Sequence, residues 1–152
     1  MNTLITPAEV YDVVFSATEP YDSSVFTTLD IATAEERYLR PIVGDGLYNA
    51  LLKGSYPELR SGYVLPMVAA WTRYLVEPLL ATRCGVCHGI NPTAAENKAT
   101  MERCRLLRKR SRTLSRQLTE HLNSSAAEYP EYDTDKNPFN RCSIDGDIVQ
   151  IY

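Results

Sequence analysis

Residues 62–83 read Gly-Tyr-Val-Leu-Pro-Met-Val-Ala-Ala-Trp-Thr-Arg-Tyr-Leu-Val-Glu-Pro-Leu-Leu-Ala-Thr-Arg, and this stretch decides the fold. It is apolar nearly all round, the mark of a helix that lies in the middle of a bundle or between subunits. Its core approaches membrane-spanning length, but Arg73, Glu77, Pro66 and Pro78 interrupt it, and a charge at the bilayer centre costs at least ~2.5 kcal/mol. A buried central helix is therefore expected. Arg73 and Glu77 stand four apart and can pair along it, and Pro78 should kink it.

Working towards the N-terminus, Gly44-Asp45-Gly46 forms a short hinge. It leads into a two-turn helix carrying Leu47, Leu51 and Leu52, stopped by Gly54 and Pro57. Before it, Ser23 or Ser24 can cap a helix in which Phe26, Leu29, Ala32 and Leu39 fall mostly on one face, and Pro41 should close that helix. Thr6-Pro7-Ala8-Glu9 is a capping box with proline at the first helical position, so a first helix should run to about Ser16.

Towards the C-terminus, a polar loop at 85–92 leads to a last helix capped by Thr93 with Glu96 three residues on, reaching to about Asn123. Cys104, Leu107, Ser111, Leu114, Leu118 and His121 or Leu122 form one narrow stripe along it at steps of three and four. From Glu128 onward prolines, tyrosines and acids take over, and Ile144-Asp-Gly-Asp-Ile-Val-Gln-Ile-Tyr152 resembles a short strand after a turn. The expected organisation is an all-α bundle of about four to five helices. The two long helices, one apolar and one basic, pack together over residues 1–125, and an extended arm follows over 126–152. Ile144, Ile148, Val149, Ile151 and Tyr152 are the arm's candidate contact residues.

The chain has 152 residues, of which 44% are hydrophobic and 23% charged, the composition of a globular domain and not of a disordered or fibrous chain. No internal repeat or low-complexity tract is apparent. No charged start followed by an apolar run opens it, so neither a signal peptide nor an anchor is expected, and the protein should stay in the cytoplasm where it is made. There the four cysteines would remain thiols unless they hold a metal.

Two constellations could carry chemistry. Cys84-Gly-Val-Cys87-His88 matches the attachment signature of a c-type haem, although such attachment belongs to the export side of a membrane. Zinc is the other candidate, with Cys84, Cys87, His88, Cys104 and Cys142 as possible ligands, but only the first pair has ligand spacing. Against both stands the plainer reading of free thiols near a helix end, with Cys104 a small hydrophobe on its stripe. The expectation is no metal and no cofactor.

The second constellation is charge. Arg103, Arg105, Arg108, Lys109, Arg110, Arg112 and Arg116 put seven cations into fourteen residues with no acid among them. Arg105, Arg108, Lys109, Arg112 and Arg116 are expected to share one sector opposite the leucine stripe. A solvated face normally mixes signs, so a one-signed face suggests an acidic partner, phosphate or carboxylate, though charge runs are commonly no more than solvated surface. Acids gather in the arm, and basic helix and acidic arm could pair between neighbouring subunits. Sequence-specific DNA reading lacks a helix-turn-helix pattern and a positive net charge, which is −3. Sequence-blind contact with a phosphate backbone stays open, as in a nucleic-acid-binding adaptor.

Catalysis has little support. There is no glycine-rich phosphate loop, metalloprotease helix or nucleophile elbow. His88 and His121 are the only histidines. His121 is expected to be packed or hydrogen-bonded, and Glu35-Glu36 is expected on a helix surface. No catalytic residue is assigned, and the chain is read as a non-enzyme.

The stretch Glu36-Arg-Tyr-Leu-Arg-Pro-Ile-Val-Gly-Asp-Gly-Leu-Tyr-Asn-Ala-Leu-Leu52 resembles a segment in small proteins of Bacteroidetes phages and prophages, related in plan to tailed-phage head-to-tail connector (adaptor, or head-completion) proteins. The order of elements is similar over nearly the whole chain. The resemblance implies a structural virion subunit, made in the host bacterial cytoplasm and placed in the neck. It further implies a homo-oligomeric ring of about twelve copies on the portal, joined to tail or stopper proteins, with DNA passing through the channel and no membrane involved. The alternatives are a small cytoplasmic metal- or haem-binding protein using Cys84, Cys87 and His88, and the nucleic-acid-binding adaptor.

Overall fold

The structure, a computed structural model, describes residues 2–15, 19, 21–85, 93–145 and 148–151, with 142–145 and 148–151 described by their backbone. It is all-α with one small hairpin at the C-terminal end of the described chain. Helix α1 (Pro7–Val14) starts as its sequence dictates: the Thr6 hydroxyl accepts from the Glu9 N–H at 3.3 Å, and the Glu9 carboxylate accepts from the Thr6 N–H at 2.8 Å. Helix α2 (Thr28–Ala34) opens with the same device, built from Thr27 and Asp30. Ser23 and Ser24 do not cap it. They lie in a single 3₁₀ turn, Ser23–Val25, which Asp22 caps by accepting from the Ser24 N–H.

The helix that Pro41 was expected to close does not stop there. A π-helical turn, Glu35–Leu39, carries α2 directly into α3 (Arg40–Leu52). The same solution recurs in the next segment, where α4 (Pro57–Leu59) passes through a π turn, Arg60–Val64, into the central helix α5 (Leu65–Val76). In each case the π turn ends one residue before a residue–proline pair, Arg40-Pro41 or Leu65-Pro66. Proline brings no N–H, and its ring presses on the carbonyl one turn back. The wider turn, with the Arg40 N–H donating to the Glu35 carbonyl and the Leu65 N–H to the Arg60 carbonyl, accommodates both demands without ending the helix. Pro78 is absorbed by a tighter 3₁₀ turn, Glu77–Leu79, before α6 (Leu80–Arg83).

Helix α3 is broken instead at Gly44, whose φ of 74° and ψ of 167° are open essentially to glycine alone. Two residues on, Gly46 lies against the backbone of residue 131, and a Cβ there would stand 3.2 Å from the Glu131 carbonyl oxygen. The two glycines of the hinge thus serve different needs, conformation at Gly44 and close approach at Gly46.

Six consecutive residues of α5, Met67 to Thr72, are buried, with Val76. Its own chain covers it: α1 and α2 pack on it, and α7 (Ala94–Ser124) packs along it. Of the two placements expected for this helix, the middle of a bundle is the one observed. Trp71 fixes the contact with α7 by donating from Nε1 to Ser115 Oγ at 3.0 Å, while Tyr38 stacks on its ring at 3.8 Å between centroids. None of the described helices is long and apolar enough to cross a membrane.

The arm begins later than expected. Residues 126–141 run back over the bundle, with Tyr129 and Tyr132 buried and Asn137 fully so. Tyr132 donates to Asn123 Oδ1 at 2.8 Å and accepts from Asn137 Nδ2 at 2.9 Å, while Asn123 and Asn140 exchange amide bonds. The tyrosine rings that made this stretch look unlike a helix are what close the core over α7. Beyond it, strands β1 (Cys142–Asp145) and β2 (Ile148–Ile151) pair antiparallel, Ile144 opposite Val149 and Cys142 opposite Ile151. Tyr152 lies outside the described residues.

Candidate functional site

Helix α7 has 31 residues and two unlike halves. Its buried residues, Ser111, Ser115, Leu118, Thr119 and Leu122, all lie in the second half. In the first half only one stripe, including Thr100, Cys104 and Leu107, is half-covered, and Met101 and Leu106 are 73% and 55% exposed. The stripe expected along the whole helix is therefore a core seam at one end and a thin contact at the other.

One ionic joint anchors the first half. Glu77, its side chain 4% exposed, receives Arg73 Nε on one oxygen and Arg103 Nε on the other, each at 2.7 Å. Arg73 is itself pinned over the Phe15 ring, 4.1 Å from its centroid. The Arg73–Glu77 pair foreseen along α5 is thus one side of a joint that sets the register of α7. Arg103, counted among the seven cations, is engaged by this joint through Nε while its side chain stays 54% exposed.

The other cations lie outside. Arg105, Arg108, Lys109 and Arg116 are exposed, and Arg112, on the same side, is half-buried. At 3.6 residues per turn the five span a sector of about 100° that flanks the buried seam, not the opposite side expected for it, because Arg108 and Arg112 fall next to Ser111, Ser115 and Thr119 on the helical wheel. Arg105 touches the exposed Glu102 at 3.2 Å, a surface pair of little consequence to stability. Among the described residues, Arg108, Lys109, Arg112 and Arg116 have no carboxylate within ion-pairing distance. Arg110, on another side, has none either. Like charges at spacings of three and four each cost a helix ~0.2–0.5 kcal/mol. The flank holds several such pairs and gains nothing from them within the subunit.

The thiol site is only partly described. Cys84 ends α6 half-buried against the core, and Cys104 is half-buried on α7, both as free thiols. Burial, with the nearby Glu77 carboxylate, pushes the Cys104 thiol above its ordinary range, which leaves little thiolate to ligate or react. Cys87 and His88 lie outside the described residues, as does the side chain of Cys142. Among the described residues no three His, Cys, Asp or Glu side chains converge as metal ligands.

His121 is packed: it stacks on Tyr63 at 4.1 Å between centroids, and its Nε2 lies 3.1 Å from the Tyr129 hydroxyl. Glu36 is on the surface, paired with Arg40, but Glu35 is not. It is 1% exposed, and its carboxylate accepts from the Leu4 N–H at 2.8 Å and the Tyr48 hydroxyl at 2.7 Å. Burial raises its pKa above the ordinary 4.5 despite these bonds. Glu35 follows the buried Ile31 by four residues, so helical spacing itself carries it to the buried face and leaves its neighbour Glu36 outside.

Compared with protein-family models, with curated protein sequences and with solved structures, the chain finds no significant match.

Proposed function

We propose that the chain is a structural subunit of a phage or prophage neck, a head-to-tail connector that assembles as a ring on the portal and joins capsid to tail. The observation that carries this reading is the half of α7 before Ser111, which has no fully buried residue and leaves Met101 and Leu106 exposed. A long helix half clad by its own chain is finished by another molecule. The segment that resembles connector proteins supports the reading from another side. It coincides with the wide turn, the Pro41 passage and the Gly44–Gly46 hinge, where the tail also meets α3. The hairpin of β1 and β2 pairs only with itself among the described residues, leaving strand edges that a neighbour can extend.

The test is co-production with a tailed-phage portal protein, followed by electron microscopy of the purified particles. Rings of this chain coaxial with the portal are expected; portals that never carry the chain, under conditions where both are folded, would remove the connector reading.

A further inference from the structure

We infer that the flank formed by Arg108, Lys109, Arg112 and Arg116, with Arg105 at its edge, binds the phosphate backbone of duplex DNA without regard to sequence. The inference stands on the flank alone and does not depend on the connector reading. Its first support is the charge accounting. The four cations have no ion-pairing partner among the described residues, and they follow one another turn by turn, with Arg105, along about 16 Å of helix. A duplex offers one phosphate per ~1.7 Å of its axis, the densest regular row of anions available to such an array.

A second copy of this chain is the obvious rival, through the acidic tail. Of its described carboxylates, Asp133 pairs with Lys136 at 3.2 Å and Glu131 accepts from the Tyr56 hydroxyl at 2.8 Å, while Glu128 and Asp135 are exposed without an ion pair among the described residues, so self-association through the tail is an outcome the experiment must separate. Single strands are disfavoured by chemistry. Proteins that hold them stack bases on aromatic rings, and α7 contains no Phe, Tyr or Trp over its whole length. Between Arg105 and Arg116 there is also no Asn or Gln to read adenine in the major groove. What remains is arginine, whose planar fork matches phosphate oxygens.

The experiment is fluorescence anisotropy of a random-sequence 30-base-pair duplex titrated with the full chain at several salt concentrations. Four phosphate contacts per chain predict a slope of log affinity on log salt of about −3.6, a loss of about 150-fold between 50 and 200 mM salt. The triple variant Arg108→Gln, Arg112→Gln, Arg116→Gln should flatten the slope to about −0.9. It should melt no lower than the parent, since no internal partner is lost, and Lys53→Gln, an exposed cation elsewhere, should change nothing. No binding at 50 mM salt, or a slope unmoved by the triple variant, overturns the inference. So does binding of polyglutamate or of single-stranded DNA as tight as that of the duplex. A ring that ignores DNA would retain the connector reading and remove this one; a chain that binds duplex but never joins a portal would do the reverse.

Discussion

Glu35 shows how much a single side chain can organise. Its carboxylate ties the N-terminal bend to α2 through the Leu4 N–H and to α3 through Tyr48. Glu35→Ala leaves both donors buried without an acceptor and should lower stability by about 2–4 kcal/mol, read by urea denaturation. Glu35→Gln keeps an acceptor for Leu4 and removes the charge. Because the folded pKa is raised, the folded state holds the proton more tightly, so the stability of the parent falls as pH rises from 4.5 through the elevated folded value. Relative to Glu35→Gln, the parent should therefore gain stability as pH drops through that window and level off below 4.5; a difference flat across the window would show that burial does not act on this group. Asp30 runs the other way: burial opposes its charge, yet bonds from Arg83 and Thr27 hold its carboxyl below its ordinary range, and their stabilisation is lost on acidification. The hinge glycines separate by the same kind of test. Gly44→Ala should cost about 1–3 kcal/mol through backbone strain. Gly46→Ala should cost less overall and loosen the tail at residue 131, seen as faster proteolysis there with little change in melting temperature.

Among the elements, those whose sequence signal was local could be read in advance. The capping boxes at Thr6 and Thr93 and the largely apolar run of α5 mark their helices because each signal lies within a turn or two of what it specifies. Pro41 misleads because its usual effect assumes a regular helix behind it, and a π turn changes that premise. A shared pattern, Tyr38-Leu-Arg-Pro41 and Tyr63-Val-Leu-Pro66, marks both wide turns and was the available clue. The prolines and tyrosines of the tail at 126–141 speak against a helix and so suggest an arm. Whether such a stretch is free or packed depends on Tyr132, Asn123 and Asn137 meeting across distant positions, which no periodicity records. At the candidate site, the cationic sector was legible because all its members lie on one helix. The engagement of Arg103 by Glu77 was not, since it joins two helices. Two truncations test the redrawn boundary. A chain ending at Arg141 should melt within a few degrees of the full one. A chain ending at Ser125 loses two buried tyrosines, at about 3–5 kcal/mol for each aromatic removed, against the ~5–15 kcal/mol that holds a typical domain. It should lose its cooperative melting transition; an unchanged transition would restore the longer arm.

At the scale of the whole molecule, the bundle is complete around α5 and incomplete around the first half of α7. The apolar face of α5 is covered from within by α1, α2 and α7, while Leu79 in the turn after it stays exposed. The connector reading places its contacts on the uncovered helix, with Met101 and Leu106 beside its cations, and on the hairpin that follows residue 141. Head-to-tail contact between two such different surfaces gives a closed ring where the rotation closes and an open filament where it does not. The most direct measurement is mass in solution, by native mass spectrometry of the full chain alone and with its portal. The account predicts a closed assembly of about twelve 17.1 kDa chains, about 205 kDa before the portal is counted, in at least the second sample. A single 17.1 kDa species in both, at concentrations where the portal is intact, would contradict it.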